Sequence, residues 1–154
     1  MMKKTIFFSL CTIMLCLLLT GCSQSETLPE EPVRPAVTVH KQQIEIIGGE
    51  SCWFGTKADG ICGDPPHPDT FYKIIKEAAV IADAGEAIRI KFPVKPDEFT
   101  LTVDNPDGST ESIGQPNQYS YTTPKEPGYY TYTLSAVWDV RNTAAFYFGI
   151  QIND

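Results

Sequence analysis

Tyr130-Thr131-Tyr132-Thr133-Leu134-Ser135-Ala136-Val137-Trp138-Asp139 is the stretch whose reading decides the fold. Tyr130, Tyr132, Leu134, Ala136 and Trp138 fall on one face of an extended chain. Thr131, Thr133, Ser135 and Asp139 fall on the other, with Val137 the exception. Successive side chains of a strand point to opposite faces, so this alternation describes a strand with one buried side. The pattern recurs on both sides of it. Phe146, Phe148, Ile150 and Ile152 alternate with Tyr147, Gly149 and Gln151; Ile88, Ile90 and Phe92 with Arg89 and Lys91; Phe99, Leu101 and Val103 with Thr100 and Thr102. Turn residues punctuate these runs at 83–86, 105–108 and 127–128. One-sided strands of this kind suit antiparallel sheets packed face to face, so the expected class is an all-β sandwich.

One region departs from period two. Phe71, Ile74, Ile75, Ala78 and Ala82 also fit a helical face, and Asp69 is available as an N-cap. The expectation is a short helical segment near 69–76, followed by a strand near 78–83. Two stretches then resemble the immunoglobulin-like sandwich. Ala79 to Phe92 looks like a first edge strand, a Gly turn and the B strand, and Glu126 to Tyr132 looks like the approach to the F strand. The resemblance puts Tyr130 at the tyrosine-corner position, two residues before the usual second cysteine. Phe92 and Tyr132 stand where inter-sheet cysteines would be, and Leu101 stands near the place of the strand-C tryptophan.

The chain opens on Met1-Met2-Lys3-Lys4, then runs from Ile6 to Leu19 with only Ser9 and Thr12 as polar members. That run is shorter than the roughly 20 apolar residues a spanning helix needs, and it suits the core of a secretory signal. It ends in Leu19-Thr20-Gly21-Cys22, which resembles the lipobox of bacterial lipoproteins. The resemblance implies cleavage between Gly21 and Cys22, removal of 1–21 as a signal peptide, and a diacylglyceryl thioether on Cys22. A further acyl chain such as palmitate is implied on the new amino group; two or more chains anchor stably where one does not. The implied location is the extracytoplasmic face of the cell membrane, held there by lipid. The whole chain also resembles small surface lipoproteins of Gram-positive bacteria, a likeness that brings no activity with it.

Removing 21 of 154 residues leaves 133, enough for one domain. Lys3 and Lys4 leave too, so the net charge moves from −7 to −9. That sign argues against nucleic acid, whose binding depends on neutralising phosphates with Lys and Arg. Ser23 to Ala36 carries three prolines and three glutamates and reads, with Cys22, as an anchor and tether over 22–36, with a reach on the order of 40 Å. A single domain is then expected over 37–154. Cys11 and Cys16 leave with the signal and Cys22 is lipidated, so Cys52 and Cys62 remain, and in an oxidising compartment they read as one disulfide.

Catalytic signatures are missing: the chain has no nucleophile elbow, phosphate-cradling Gly-rich loop, His-Glu-x-x-His or dinucleotide fingerprint, and no cofactor is implied. His67, flanked by Asp64 and Asp69, is a weak metal or general-base candidate on a Pro-rich loop. Asp104, Asp107 and Gly108 hint at calcium but read more simply as turn chemistry. Trp53 and Phe54 sit inside the loop that Cys52 and Cys62 would close. They either contact a partner from a rigid loop or, for Trp53, plug one end of the sandwich. The expected function is therefore a non-catalytic binding or interaction domain on the membrane surface. Its partner would be a protein, a peptide or a cell-wall ligand. The alternative is an envelope enzyme or metal-binding accessory built on His67 and its neighbouring carboxylates.

Overall fold

A computed structural model describes residues 27–57 and 59–153. The stretch expected to be a signal peptide, with Gly21, and the expected lipidation site Cys22 lie outside the described residues, as does the start of the expected tether. Eleven strands and one helix follow among those described. They are β1 (Ala36–Val39), β2 (Gln42–Ile44), β3 (Ile47–Trp53), β4 (Ile61–Gly63), α1 (Pro68–Glu77), β5 (Val80–Ala82), β6 (Ala87–Lys91), β7 (Glu98–Asp104), β8 (Thr110–Ile113), β9 (Ser120–Thr122), β10 (Gly128–Val137) and β11 (Thr143–Ile152).

Two sheets form the all-β sandwich. One has the order β2-β1-β6-β9 and the other β4-β3-β11-β10-β7-β8, with β5 added in parallel to the C-terminal end of β11. All other pairings are antiparallel. The inner faces are those the alternation marked. Tyr130, Tyr132, Leu134, Ala136 and Trp138 are buried, as are Phe99, Leu101, Val103, Ile88, Ile90 and Phe92. The immunoglobulin-like features sit where the resemblance put them. β6 and β10 lie in opposite sheets, β5 is an edge strand ahead of a turn at Gly85 (φ 77°), and the Tyr130 hydroxyl donates to the Glu126 carbonyl at 2.9 Å. Between the sheets, where a disulfide is absent, Phe92 just past β6 packs against Phe99 of β7 and Trp138 just past β10; within one sheet, Tyr132 stacks on its ladder partner Phe148 with centroids 4.8 Å apart.

The helix is longer than expected and is capped differently. Pro68 opens it, because its fixed φ and missing N–H suit the first turn, and His67 takes the cap position with no side-chain bond. Asp69 therefore lies in the first turn instead of capping it. The Phe71 and Ile75 side chains are buried against the outer face of β11, where the Phe71 ring meets Tyr147 edge-on at 4.7 Å. A side chain at Gly149 would run into Ala79 and the Ile75 carbonyl, so glycine there is what lets the helix lie close. This cover makes β11 buried on both faces over much of its length.

The tether expectation is corrected over its described part. Val33 is buried in the core and Leu28 packs against it, while β1 begins at Ala36, within the stretch read as tether. The Trp53 indole N–H donates to the Pro29 carbonyl at 3.0 Å, and Lys57 pairs with Glu30 at 2.8 Å. A short apolar residue every few positions was enough to dock this Pro-rich strap on the domain. Its length is therefore spent along the surface.

Candidate functional site

Among the described residues, side chains that could meet a partner gather at the β10–β11 turn and in a cleft beside the first half of β10. The first is built by the β3–β4 loop and the β10–β11 turn. Cys52 and Cys62 face each other in the β3–β4 ladder with Cα atoms 4.0 Å apart and are joined as a disulfide. In the neighbouring turn the Asp139 carboxylate accepts from the Arg141 N–H at 2.7 Å, the Asn142 N–H at 2.9 Å and the Asn142 side-chain amide. These bonds, the one to Arg141 first, hold the Asp139 carboxyl below its ordinary range. Asn142, fully buried, then turns its oxygen to the Phe54 and Gly55 N–H groups at 2.8 and 2.9 Å. One side chain thus bolts the turn to the disulfide-closed loop.

Trp53 is not an exposed anchor. It is only 3% exposed, packs edge-on against Trp138 with centroids 5.0 Å apart, and closes this end of the sandwich. Both indoles are satisfied, Trp53 by Pro29 and Trp138 by the Val94 carbonyl at 3.0 Å. A large aromatic whose N–H finds a carbonyl gains more from burial than from solvent contact. Phe54 is half-buried, with the Arg141 guanidinium 5.0 Å from its ring centroid, and Gly60 is so close that a Cβ there would strike the ring. The most exposed apolar side chains at this end are Val140, 98% exposed at the tip of the turn, and Ile61, 79% exposed across the ladder from Trp53.

His67, Asp64 and Asp69 are all exposed. His67 Nδ1 is 3.9 Å from an Asp69 oxygen, and among the described residues no group of three or more His, Cys, Asp or Glu is gathered closely enough to hold a metal. The 104–108 turn spends its carboxylates locally: Asp107 accepts from the Ser109 N–H and hydroxyl, and Asp104 from the Thr110 hydroxyl.

The second place lies beside the first half of β10 and did not emerge from the sequence. One sheet stops at the short strand β9, while the other continues past β7 to β8, so the inner side of β8 is left partly uncovered. The result is a cleft of about 580 Å³ between the sheets, walled by Val103, Ile113 and the rings of Tyr121 and Tyr132, with Glu111 and Lys125 also lining it. Tyr121 is 4% exposed and Tyr132 0% exposed, yet neither hydroxyl has a hydrogen-bond partner in the protein. Burial raises both phenols above their usual range, so each keeps its proton. Both tyrosines read as ordinary strand aromatics in the sequence; only the termination of a sheet at β9 shows that their polar ends have nowhere to go.

No curated protein and no solved structure matches the chain. A family model does match residues 82–146, from the end of β5 into β11 and thus most of the immunoglobulin-like core. Over that stretch the chain is similar to the family described as "Domain of unknown function (DUF8816)".

Proposed function

We propose that this chain is a lipid-anchored extracytoplasmic binding domain with no catalytic role, standing on the membrane with its β10–β11 turn downward and its opposite end presented outward. The lipobox-like Leu19-Thr20-Gly21-Cys22 supports the anchor. The observation that carries the orientation is the course of the strap. A side chain at Gly55 would strike the Pro29 carbonyl, so Pro29 and Glu30 cross directly over the disulfide-closed loop. Only six residue steps separate Cys22 from Leu28, a reach of about 20 Å even when fully extended. A domain tied at that end by so short a chain keeps the same end near the lipid. β10, ten residues and about 33 Å long, runs away from that end, and the inter-sheet cleft lies beside its first half, around Tyr132.

Flotation of the Cys22→Ser variant tests the anchor: the protein is expected to leave the membrane fraction, and continued flotation would reject lipidation. The orientation is tested separately on lipidated protein in vesicles. An environment-sensitive dye at Val140→Cys should be quenched by lipid-borne quenchers, and one at Asp107→Cys should not. The reverse pattern would show that the domain stands the other way up.

A further inference from the structure

We propose that the β10–β11 tip enters the lipid interface, with Val140 and Ile61 as the side chains that hold it there. The proposal rests on the anchored, turn-down reading above and deepens it: lipid on Cys22 keeps the protein on the membrane, and the tip fixes how it stands. The first observation is where the exposed apolar side chains gather. Of the six large ones that stand most open to solvent among the described residues, Ile61, Val137 and Val140 lie at this end. Val140 occupies the turn between Asp139 and Asn142, and Ile61 begins β4 directly across from Trp53, the last residue of β3. Turn positions ordinarily go to Gly, Asn, Asp, Ser or Pro, so valine at such a tip is a costly choice in water.

Singly scattered apolar side chains need no explanation, but these stand where the chain leaves for the membrane. Pro29 and Glu30 cross the loop at Gly55, and the reach from Leu28 back to Cys22 is only about 20 Å, so an anchored domain brings this tip to the lipid. The tip cannot fold away from it. Asp139 and Asn142 fix the turn from behind, and Trp53 and Trp138 fill the space beneath. Two aliphatic side chains alone would hold a free protein only weakly; on a tethered one they meet the interface at high effective concentration. Charge does not choose the surface. Arg141 and the exposed Lys95 of the β6–β7 loop, whose Val94 carbonyl holds the Trp138 indole, are offset by the exposed Asp59 and Asp97. The contact therefore depends on burying apolar surface, needs no anionic lipid and is insensitive to salt.

The chain's two tryptophans, Trp53 and Trp138, both stand just behind the tip, so their own fluorescence reads its depth without a label. The test uses lipidated full-length protein in phosphatidylcholine vesicles whose acyl chains are brominated near the top. Insertion by about 5–10 Å brings bromine close to both indoles, so on the order of half the emission seen in unbrominated vesicles should be lost, in low and high salt alike. Val140→Asp should restore most of that emission and Ile61→Thr the rest, while the protein still floats with the vesicles. Val140 lies in an exposed turn, so Val140→Asp should leave Tm unchanged and decides the matter even if the Ile61 variant folds poorly. Undiminished emission from a floating wild type, or quenching unchanged in Val140→Asp, overturns the insertion and leaves the anchor standing. A wild type that does not float rejects the anchor, and the inference falls with it. A dimer of the Cys22→Ser protein that Val140→Asp abolishes, with no quenching in the wild type, would assign the tip to a second copy of the chain instead.

Discussion

Asn142 is the residue on which the loop end depends. Its side chain makes bonds in two directions, to Asp139 within its own turn and to two backbone N–H groups across the gap. Alanine there would strand the Phe54 and Gly55 donors beside a buried void. A loss of about 2–4 kcal/mol is expected, from one orphaned buried donor at the lower bound to both at the upper. Urea unfolding checks it, and a change below about 0.5 kcal/mol would mean that water replaces the amide. Asn142 carried no signal in the sequence, since its second set of partners is 87 and 88 residues away. Trp53 was legible as either of two things. Hydrophobicity and an indole N–H suit an interface and a core equally, and the choice fell to Pro29, whose carbonyl came from a segment read as free tether.

Among the elements, the β3–β4 ribbon and the α1–β11 pair show what supports the sandwich. The Cys52–Cys62 bond closes a short loop, with a sequence separation of 10, and pins an edge strand only three residues long. Constraining the unfolded chain over such a loop is worth about 2.5 kcal/mol. Reduction, or Cys52→Ser with Cys62→Ser, should therefore lower Tm by several degrees in differential scanning calorimetry while leaving the β10–β11 ladder formed. If the reduced protein melted at the oxidised Tm, the ribbon would have to be held by its ladder alone. The helix could be read from its apolar face at 71, 74, 75 and 78, whereas its partner could not. β11 alternates in sequence like a strand with one buried side, and the burial of Ala145 and the closeness of Gly149 to α1 come from a neighbour that the local pattern does not name.

At the scale of the whole molecule, the buried tyrosines give the fold a defined response to alkali. Burial holds Tyr121, Tyr129, Tyr130 and Tyr132 above the ordinary phenol range. Burial also pushes Tyr147 up to about 12, with the Glu50 carboxylate, 3.1 Å from its hydroxyl, adding to the shift. Above about pH 10 the unfolded chain releases phenol protons that the folded chain keeps, so stability is intact below that point and falls as pH rises toward the folded values. Circular dichroism across pH 8 to 12 should show this decline, and Tyr147→Phe should make it shallower. An equally steep decline in that variant would assign the loss to other groups. Asp107 and Asp139, held low by their hydrogen bonds, act in the opposite sense: their support is present above about pH 4 and is lost below it.

Periodicity along the chain determined much by itself. Each strand that alternates carries its own statement of which side is buried, because pleating is a local property, and so the inner faces of β6, β7, β10 and β11 and the class of the fold were legible before any contact was known. The resemblance to immunoglobulin-like sandwiches also placed Tyr130, whose bond to Glu126 spans only four residues. What tertiary structure decided depends on distant segments meeting: the strap over Gly55, the burial of Trp53, the bolt at Asn142, and the cleft left where one sheet ends a strand before the other. A strand's sequence states which side chains want to leave water. Whether another segment arrives to cover them, or to partner a hydroxyl carried in among them, is settled by packing across the whole chain.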